Sequence, residues 1–244
     1  CDDGVMIYEI TVEDIRKACQ GAYDTGLFKE GVVPVEKVGN TFVTELFQGP
    51  TAAFKDLALS LLPRFMTLSL KKKGEEREVM ILAATSGDTG KAALEGYKNI
   101  NRIKIAGFYP QDGVSAVQKL QMATQDGNNV NVCAINGNFD DIQSSVKNIF
   151  SNETFSNELN KLGYSLSSAN SINFGRLAPQ IVYYFKAYCD LLKQNKISLG
   201  ESINVCVPTG NFGNILAAYF AKLMGLPINK LICASNSDNI LTDF

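Results

Sequence analysis

Apolar and polar positions change period several times along the chain. From Glu78 onward, "EVMILAATSGDTGKAALEGY", "RIKIAGFYPQDGVSAVQKLQMATQDG" and "NVNVCAINGNFDDIQSSVKNIF" each open on a short apolar run, pass a turn marked by glycine or proline, and continue with helical spacing. Such apolar runs read as buried strands, and three successive strand-helix units predict a parallel sheet with crossover helices. Earlier, residues 8 to 23 have helical spacing, with Thr11 as a candidate cap and Ile10, Ile15, Ala18 and Cys19 for an inner face. A second helix is predicted after Gly49 and Pro50, with Thr51 as its cap, apolar positions at Ala52, Ala53, Leu57, Ala58 and Leu61, and Lys55 at about its second turn. Residues 173 to 195 predict a long helix that Pro179 could bend. "SINVCVP", "TGNFGN", "ILAAYFAKLMG" and "KLICAS" then give strand, glycine-rich turn, helix and strand. The expectation is an α/β chain in which residues 78–155 form a smaller inserted domain, and 1–77 with 156–244 form parts of a larger one.

Composition narrows the chemistry more than the fold. At 244 residues, 45% of them hydrophobic and 20% charged, the chain can bury a sizeable core and has ordinary globular composition. The formal charge is −2, and the only tight basic run, Lys71-Lys72-Lys73, falls where a helix should end, so no nucleic-acid or anionic-membrane partner is expected. The apolar stretches are too short to span a bilayer, and no signal peptide is visible. Six cysteines lack any C-x-x-C spacing. Cys133, Cys206 and Cys233 fall in predicted strands, so reduced core cysteines are expected and not disulfides or metal ligands, which favours the cytosol. The chain contains no histidine. Ser-His and Cys-His nucleophile pairs and histidine metal sites are excluded within it, leaving lysine, carboxylates, phenols or a cofactor for acid-base work. The chain opens without a methionine and stops just after a strand, so a fragment truncated at both ends is expected.

Four short stretches could carry chemistry. In "QGPTAAFKDLALS", Lys55 stands among small and apolar neighbours near a helix start, where the helix dipole disfavours its charge by only about 0.3–1 kcal/mol. Burial, a second cation or capture as an imine could each remove that charge, whereas an ordinary lysine would reach out to water. "PTGNFGN" at 208 to 214 offers glycines and amides to a phosphate, or is a strand-to-helix turn that needs glycine for its geometry. It is neither a Walker loop nor a dinucleotide fingerprint. "ATSGDTG" at 84 to 90 sets hydroxyls and amides at another helix start, where Asp88 would repel an anion or partner the dipole. "SANSINFGRL" at 168 to 177 crowds Ser168, Asn170, Ser171 and Asn173 toward Arg176, a set that suits a phosphate or a run of caps and turns.

Taken together in this order, "FQGPTAAFKD", "ATSGDTG", "NSINFGRL" and "VPTGNFGN" resemble the threonine synthases, members of the fold type II pyridoxal phosphate enzymes. The likeness runs from about Phe47 to the end of the chain. It implies a tryptophan synthase β-like α/β architecture of parallel-type sheets flanked by helices. It also implies pyridoxal phosphate carried on Lys55 as an imine, with Phe54 near its ring and Gly210, Asn211, Phe212, Gly213 and Asn214 around its phosphate. Thr85, Ser86, Gly87, Asp88 and Thr89 would take the substrate's amino-acid end, and Asn170, Ser171, Asn173 and Arg176 its phosphate. The implied reaction converts O-phospho-L-homoserine and water to L-threonine and phosphate, with no metal. The family's group facing the pyridine nitrogen comes from a later segment than this chain contains. A related lyase or dehydratase of the same fold, and a phospho-ligand-binding protein without turnover, are the alternatives.

Overall fold

A computed structural model describes residues 10–29, 31–85, 87–112, 114–169, 174–208 and 212–237. The helix predicted near the start is α1, Val12–Tyr23, and Thr11 does cap it, accepting from Asp14 N while the Asp14 carboxylate accepts from Thr11 N. Its inner face is built from Ala18 and Ala22, whereas Ile10 and Ile15 are exposed. After it come the strands β1 (Val35–Val38) and β2 (Thr41–Thr44), an antiparallel hairpin turned at Gly39 with φ of 59°. The hairpin is absent from the sequence expectation, although "VEKVGNTFVT" alternates around a Gly-Asn turn.

By its internal contacts the chain forms two units, Cys1–Val32 with Leu46–Asn173 and Val33–Glu45 with Phe174–Phe244. The first contains α2 (Lys55–Lys72), β3 (Glu78–Ala84), α3 (Asp88–Tyr97), β4 (Ile103–Pro110), α4 (Ala116–Ala123), β5 (Val130–Ile135), α5 (Phe139–Ser151), α6 (Glu153–Lys161) and β6 (Tyr164–Ser168). Its strands form one sheet in the order β5-β4-β3-β6, parallel throughout. The expected insert at 78–155 therefore differs from the observed unit: β6 completes the sheet against β3, and α2 packs on the same sheet through Leu59 and Leu62. The period of two along β3 sets the layers. Val79, Ile81 and Ala83 face Leu59 and Leu62 of α2, Ala92, Ala93, Leu94 and Tyr97 of α3, and Met122 of α4. Leu82 and Ala84 face Ile142 and Val146 of α5.

One close approach fixes α2 against α3. Pro63 lies inside α2 and has no N–H for the carbonyl of Leu59. Gly96 of α3 packs on that carbonyl so tightly that a Cβ there would lie 2.3 Å from the Leu59 oxygen. At its far end α2 carries Lys72, paired with Asp14 of α1 at 2.7 Å.

The second unit holds the β1-β2 hairpin, α7 (Phe174–Lys193), β7 (Ile203–Pro208), α8 (Gly213–Leu223) and β8 (Ile228–Ala234), with β7 and β8 paired in parallel. Helix α7 continues through Pro179 and buries Arg176, Gln180, Tyr183, Tyr184, Tyr188 and Leu191 along one stripe. Lys186 ties it to the hairpin by donating to the Val33 carbonyl at 2.8 Å. Among the described residues β7 and β8 pair only with each other, and Cys206 and Cys233 on them are exposed, against the expectation of core cysteines. The five described cysteines are free.

Replacing Gly96 by alanine sets a methyl group against a main-chain oxygen that no rotamer change can move. In the full-length protein the unfolding midpoint in urea should correspond to a loss of about 2 kcal/mol or more, whereas an unchanged midpoint would show that the two helices can separate without cost.

Candidate active site

Helix α2 begins at Lys55, later than the sequence predicted, because Thr51 does not cap it. Asp56 is the reason. Its side chain is only 1% exposed and turns back on the preceding residues, where Oδ2 accepts from Thr51 N at 2.8 Å and Ala53 N at 3.4 Å, and Oδ1 accepts from the Thr51 hydroxyl at 2.5 Å. Ala52 adopts the left-handed region with φ of 55° to complete the turn. Gly49 lies flush against the carboxylate, and a Cβ there would stand 2.6 Å from Oδ2. Burial raises the Asp56 carboxyl above its ordinary value, and the hydrogen bonds from Thr51 and Ala53 oppose the shift in part. Asp56 thus holds the turn that delivers Lys55 and does not pair with the lysine itself.

The lysine faces another way. Its side chain is 11% exposed, Nζ lies 5.2 Å from the centroid of the Phe54 ring, and Nζ donates to Asp88 Oδ2 at 3.1 Å. Asp88 opens α3, so the ion pair joins the starts of α2 and α3 just beyond the carboxyl end of β3, where open α/β sheets place ligands. Burial works to raise the Asp88 carboxyl, but the charge and hydrogen bond of Lys55 with a main-chain N–H outweigh it, leaving the group below its ordinary value. A counter-ion was not among the means by which the sequence reading expected Lys55 to be neutralised.

Thr85 is buried and shapes the same turn. Its hydroxyl accepts from Gly90 N at 2.8 Å and Gly87 N at 3.1 Å and lies 3.0 Å from the Gly87 carbonyl, so it is taken up within the turn. Gly90 has no room for a Cβ, which would meet the Thr85 side chain at 2.2 Å. Gly87 and Thr89 are partly exposed and Asp88 is exposed, which leaves the start of α3 open beside the lysine.

In the second unit, Arg176 is buried in the first turn of α7, and Gln180 donates from Nε2 to its carbonyl at 2.7 Å. Phe212, Gly213 and Asn214 form the first turn of α8, with Phe212 half exposed. Phe212, its N-cap residue, makes no side-chain capping hydrogen bond. The phenols of Tyr183 and Tyr184 on α7 converge on Asn214: Tyr184 donates to its main-chain carbonyl at 2.9 Å, and Tyr183 lies 2.9 Å from its side-chain amide. The expected site residues Ser86, Asn170, Ser171, Asn173, Gly210 and Asn211 lie outside the described residues. Sequence reasoning missed Asp56 as the pin of the turn, Tyr183 and Tyr184 as partners of Asn214, and Gln180 as the partner of Tyr183. The "PQIVYYF" spacing, which puts these polar groups on a buried helix face, was the available signal. Among the described residues no group of histidine, cysteine, aspartate or glutamate could hold a metal ion, and no helix is long and apolar enough to cross a membrane.

The chain is similar to several known proteins over nearly its whole length. It is 44% identical to threonine synthase-like 1 of Homo sapiens, over 97% of this chain and 32% of that protein. It is also 44% identical to the threonine synthase of Pseudomonas aeruginosa, over 95% of this chain and 47% of that protein. Its fold matches a PLP-bound threonine synthase from Brucella melitensis with a TM-score of 0.83 and 42% identity, covering 96% of this chain and 48% of that one. The yeast threonine synthase matches with a TM-score of 0.80 and 33% identity, covering 94% of this chain and 45% of that one. No protein-family model matches. The chain spans about a third to a half of the length of these curated relatives. The resemblance carried by the four motifs is thus found in sequence and in fold, and the architecture is that of fold type II pyridoxal phosphate enzymes.

Two outcomes follow for the first unit. Replacing Asp56 by alanine strands the Thr51 and Ala53 donors and should cost about 2–3 kcal/mol in unfolding free energy, with Asp56→Asn intermediate because its amide oxygen still accepts; equal midpoints for all three proteins would contradict the pinning role. Asp88, with its folded value below the unfolded one, contributes stability above the ordinary aspartate pKa of about 4 and loses it as pH falls through the folded value. The half-exposed pair is worth at most about 1 kcal/mol. The thermal midpoint of Asp88→Asn should therefore lie slightly below wild type at neutral pH and converge with it in acid, and a gap that widens in acid would contradict the pairing.

Proposed function

We propose that this chain is the lysine-bearing part of a pyridoxal phosphate-dependent threonine synthase, a carbon-oxygen lyase acting in the cytoplasm on O-phospho-L-homoserine and water to give L-threonine and phosphate. The observation that carries the reading is the single amine of Lys55, held almost out of water at the start of α2 and aimed at the turn that begins α3. The donor set fits the cofactor. An amine beside an aromatic ring suits its aldehyde and pyridine ring, and the main chain at the start of α8 suits its phosphate. Lys55, Phe54, Phe212, Gly213 and Asn214 would hold it, with Gly210 and Asn211 from the same motif. The cofactor, when bound, supplies the electron sink that makes protons at Cα and Cβ of an amino acid removable.

The chain's own residues supply the rest. With no histidine in the chain, Lys55 would take a proton from Cα and another from Cβ and return two, one at Cγ after the phosphate has left and one at Cα after water has added, the proton of that water leaving with the phosphate. Asp88 holds the Lys55 ammonium between those transfers and keeps the amine directed toward α3. Thr85 keeps the turn in shape, so that the main chain of Gly87 and Thr89, with Ser86 from the same motif, would take the substrate's amino-acid end. Arg176, with Asn170, Ser171 and Asn173 from the same motif, binds the phosphate that leaves from Cγ, for which a planar guanidinium is suited. Water then adds at Cβ. A related fold type II lyase or dehydratase is the second reading, favoured by the relative called threonine synthase-like at the same identity as the bacterial threonine synthase.

Borohydride reduction of the full-length protein with pyridoxal phosphate should fix the label on the peptide containing Lys55, and Lys55→Ala should abolish both label and turnover. Inorganic phosphate should be released from O-phospho-L-homoserine and not appear with serine or threonine. A label on another lysine would refute the assignment of Lys55. Turnover of serine or threonine in place of phosphohomoserine would support the second reading.

A further inference from the structure

Tyr183 and Tyr184 of α7 meet Asn214 of α8 in three polar contacts, and Tyr183 meets Gln180 of α7 in a fourth. The Tyr183 phenolic oxygen lies 3.1 Å from Gln180 Oε1 and 2.9 Å from the Asn214 side-chain amide, and that of Tyr184 lies 2.9 Å from the Asn214 main-chain carbonyl and also touches the same side-chain amide. Each phenol carries a single hydrogen. Two of the acceptors have no freedom. Gln180 donates from Nε2 to the Arg176 carbonyl, so its oxygen must face Tyr183, and the Asn214 main-chain carbonyl can only accept. The Tyr183 hydrogen is thereby committed to Gln180 and the Tyr184 hydrogen to the main chain. With Oδ1 of Asn214 turned to the phenols, two pairs of oxygens would stand in contact with no hydrogen between them, on phenols that are buried. With Nδ2 turned to them, two further hydrogens enter and every contact has one.

We infer that Asn214 donates both of its side-chain hydrogens to Tyr183 and Tyr184, so that its side chain anchors the first turn of α8 and is not a donor to an anion. The oxygen left on the other side of the amide is an acceptor, which a phosphate repels. On the function proposed above, which this part of the inference rests on, the α8 side of the cofactor phosphate site consists of main-chain N–H groups. Tyr183, Tyr184 and Gln180 are then positioning residues that hold those groups in place from α7.

The test begins with the full-length protein free of cofactor, labelled with nitrogen-15, in which the Asn214 side-chain amide is assigned by its loss in Asn214→Ser. Both amide hydrogens should exchange slowly with water and show nuclear Overhauser contacts to the tyrosine rings, one contact disappearing in Tyr183→Phe and the other in Tyr184→Phe. Both hydrogens exchanging as fast as those of an exposed asparagine, with no ring contact, would overturn the orientation. The positioning role is read from borohydride trapping at graded pyridoxal phosphate concentrations. Tyr184→Phe should need about tenfold more cofactor for half-labelling, the equivalent of one lost hydrogen bond, and an unchanged concentration would overturn that role. A wild-type protein that traps no cofactor on Lys55 refutes the proposed function and with it the phosphate role, while the amide exchange still decides the orientation.

Discussion

An ammonium group almost shut off from water must lose its charge or meet an anion, and in this molecule Lys55 meets Asp88. The other features of the first unit serve that meeting. Asp56 folds the preceding turn onto itself so that α2 starts at the lysine, and Thr85 does the same for the turn that starts α3 at the aspartate. Gly96 lets α3 pack directly on the Leu59 carbonyl, for which Pro63 has no N–H. Each device uses a residue type with no easy substitute: a short carboxylate, a small hydroxyl, a missing N–H, a missing Cβ.

The two units divide the proposed chemistry. The first supplies the amine and the turn that would receive an amino acid. The second supplies a buried arginine and the N-terminal turn of α8, both suited to phosphate. The polar stripe of α7 contacts the start of α8 through Asn214 and the arginine's own carbonyl through Gln180, so both groups proposed for phosphate share one scaffold. The ion pair also suits the proposed function: an anion that keeps a mobile amine directed at one turn preserves the direction of attack while the amine is free, and yields its place when the amine is engaged by an aldehyde.

Much of this was legible in the sequence, and what was not has physical causes. The parallel βα units were readable because strands buried on both faces are written as apolar runs, as in Val79 to Ala84. Lys55 stood out because a charge among small apolar residues has no local explanation. The start of α2 was misplaced because Thr51 has the composition of a cap, yet a buried carboxylate at position 56 claims its hydroxyl. The Asp88 pairing was invisible because it joins residues 33 apart in the chain. The domain boundary was drawn before β6 because its serine-rich "YSLSS" does not read as a buried strand, although it hydrogen-bonds along β3. The tyrosines of α7 drew no reading, because their hydroxyls acquire meaning only beside Asn214, 30 and 31 residues further along the chain.

A crystal structure of the full-length protein grown with pyridoxal phosphate tests the central claim most directly. The account predicts continuous density from Lys55 Nζ to the aldehyde carbon, the Asp88 carboxylate released from the amine, and the phosphate against the main chain at the start of α8. A cofactor bound elsewhere, with Lys55 still paired to Asp88, would contradict it.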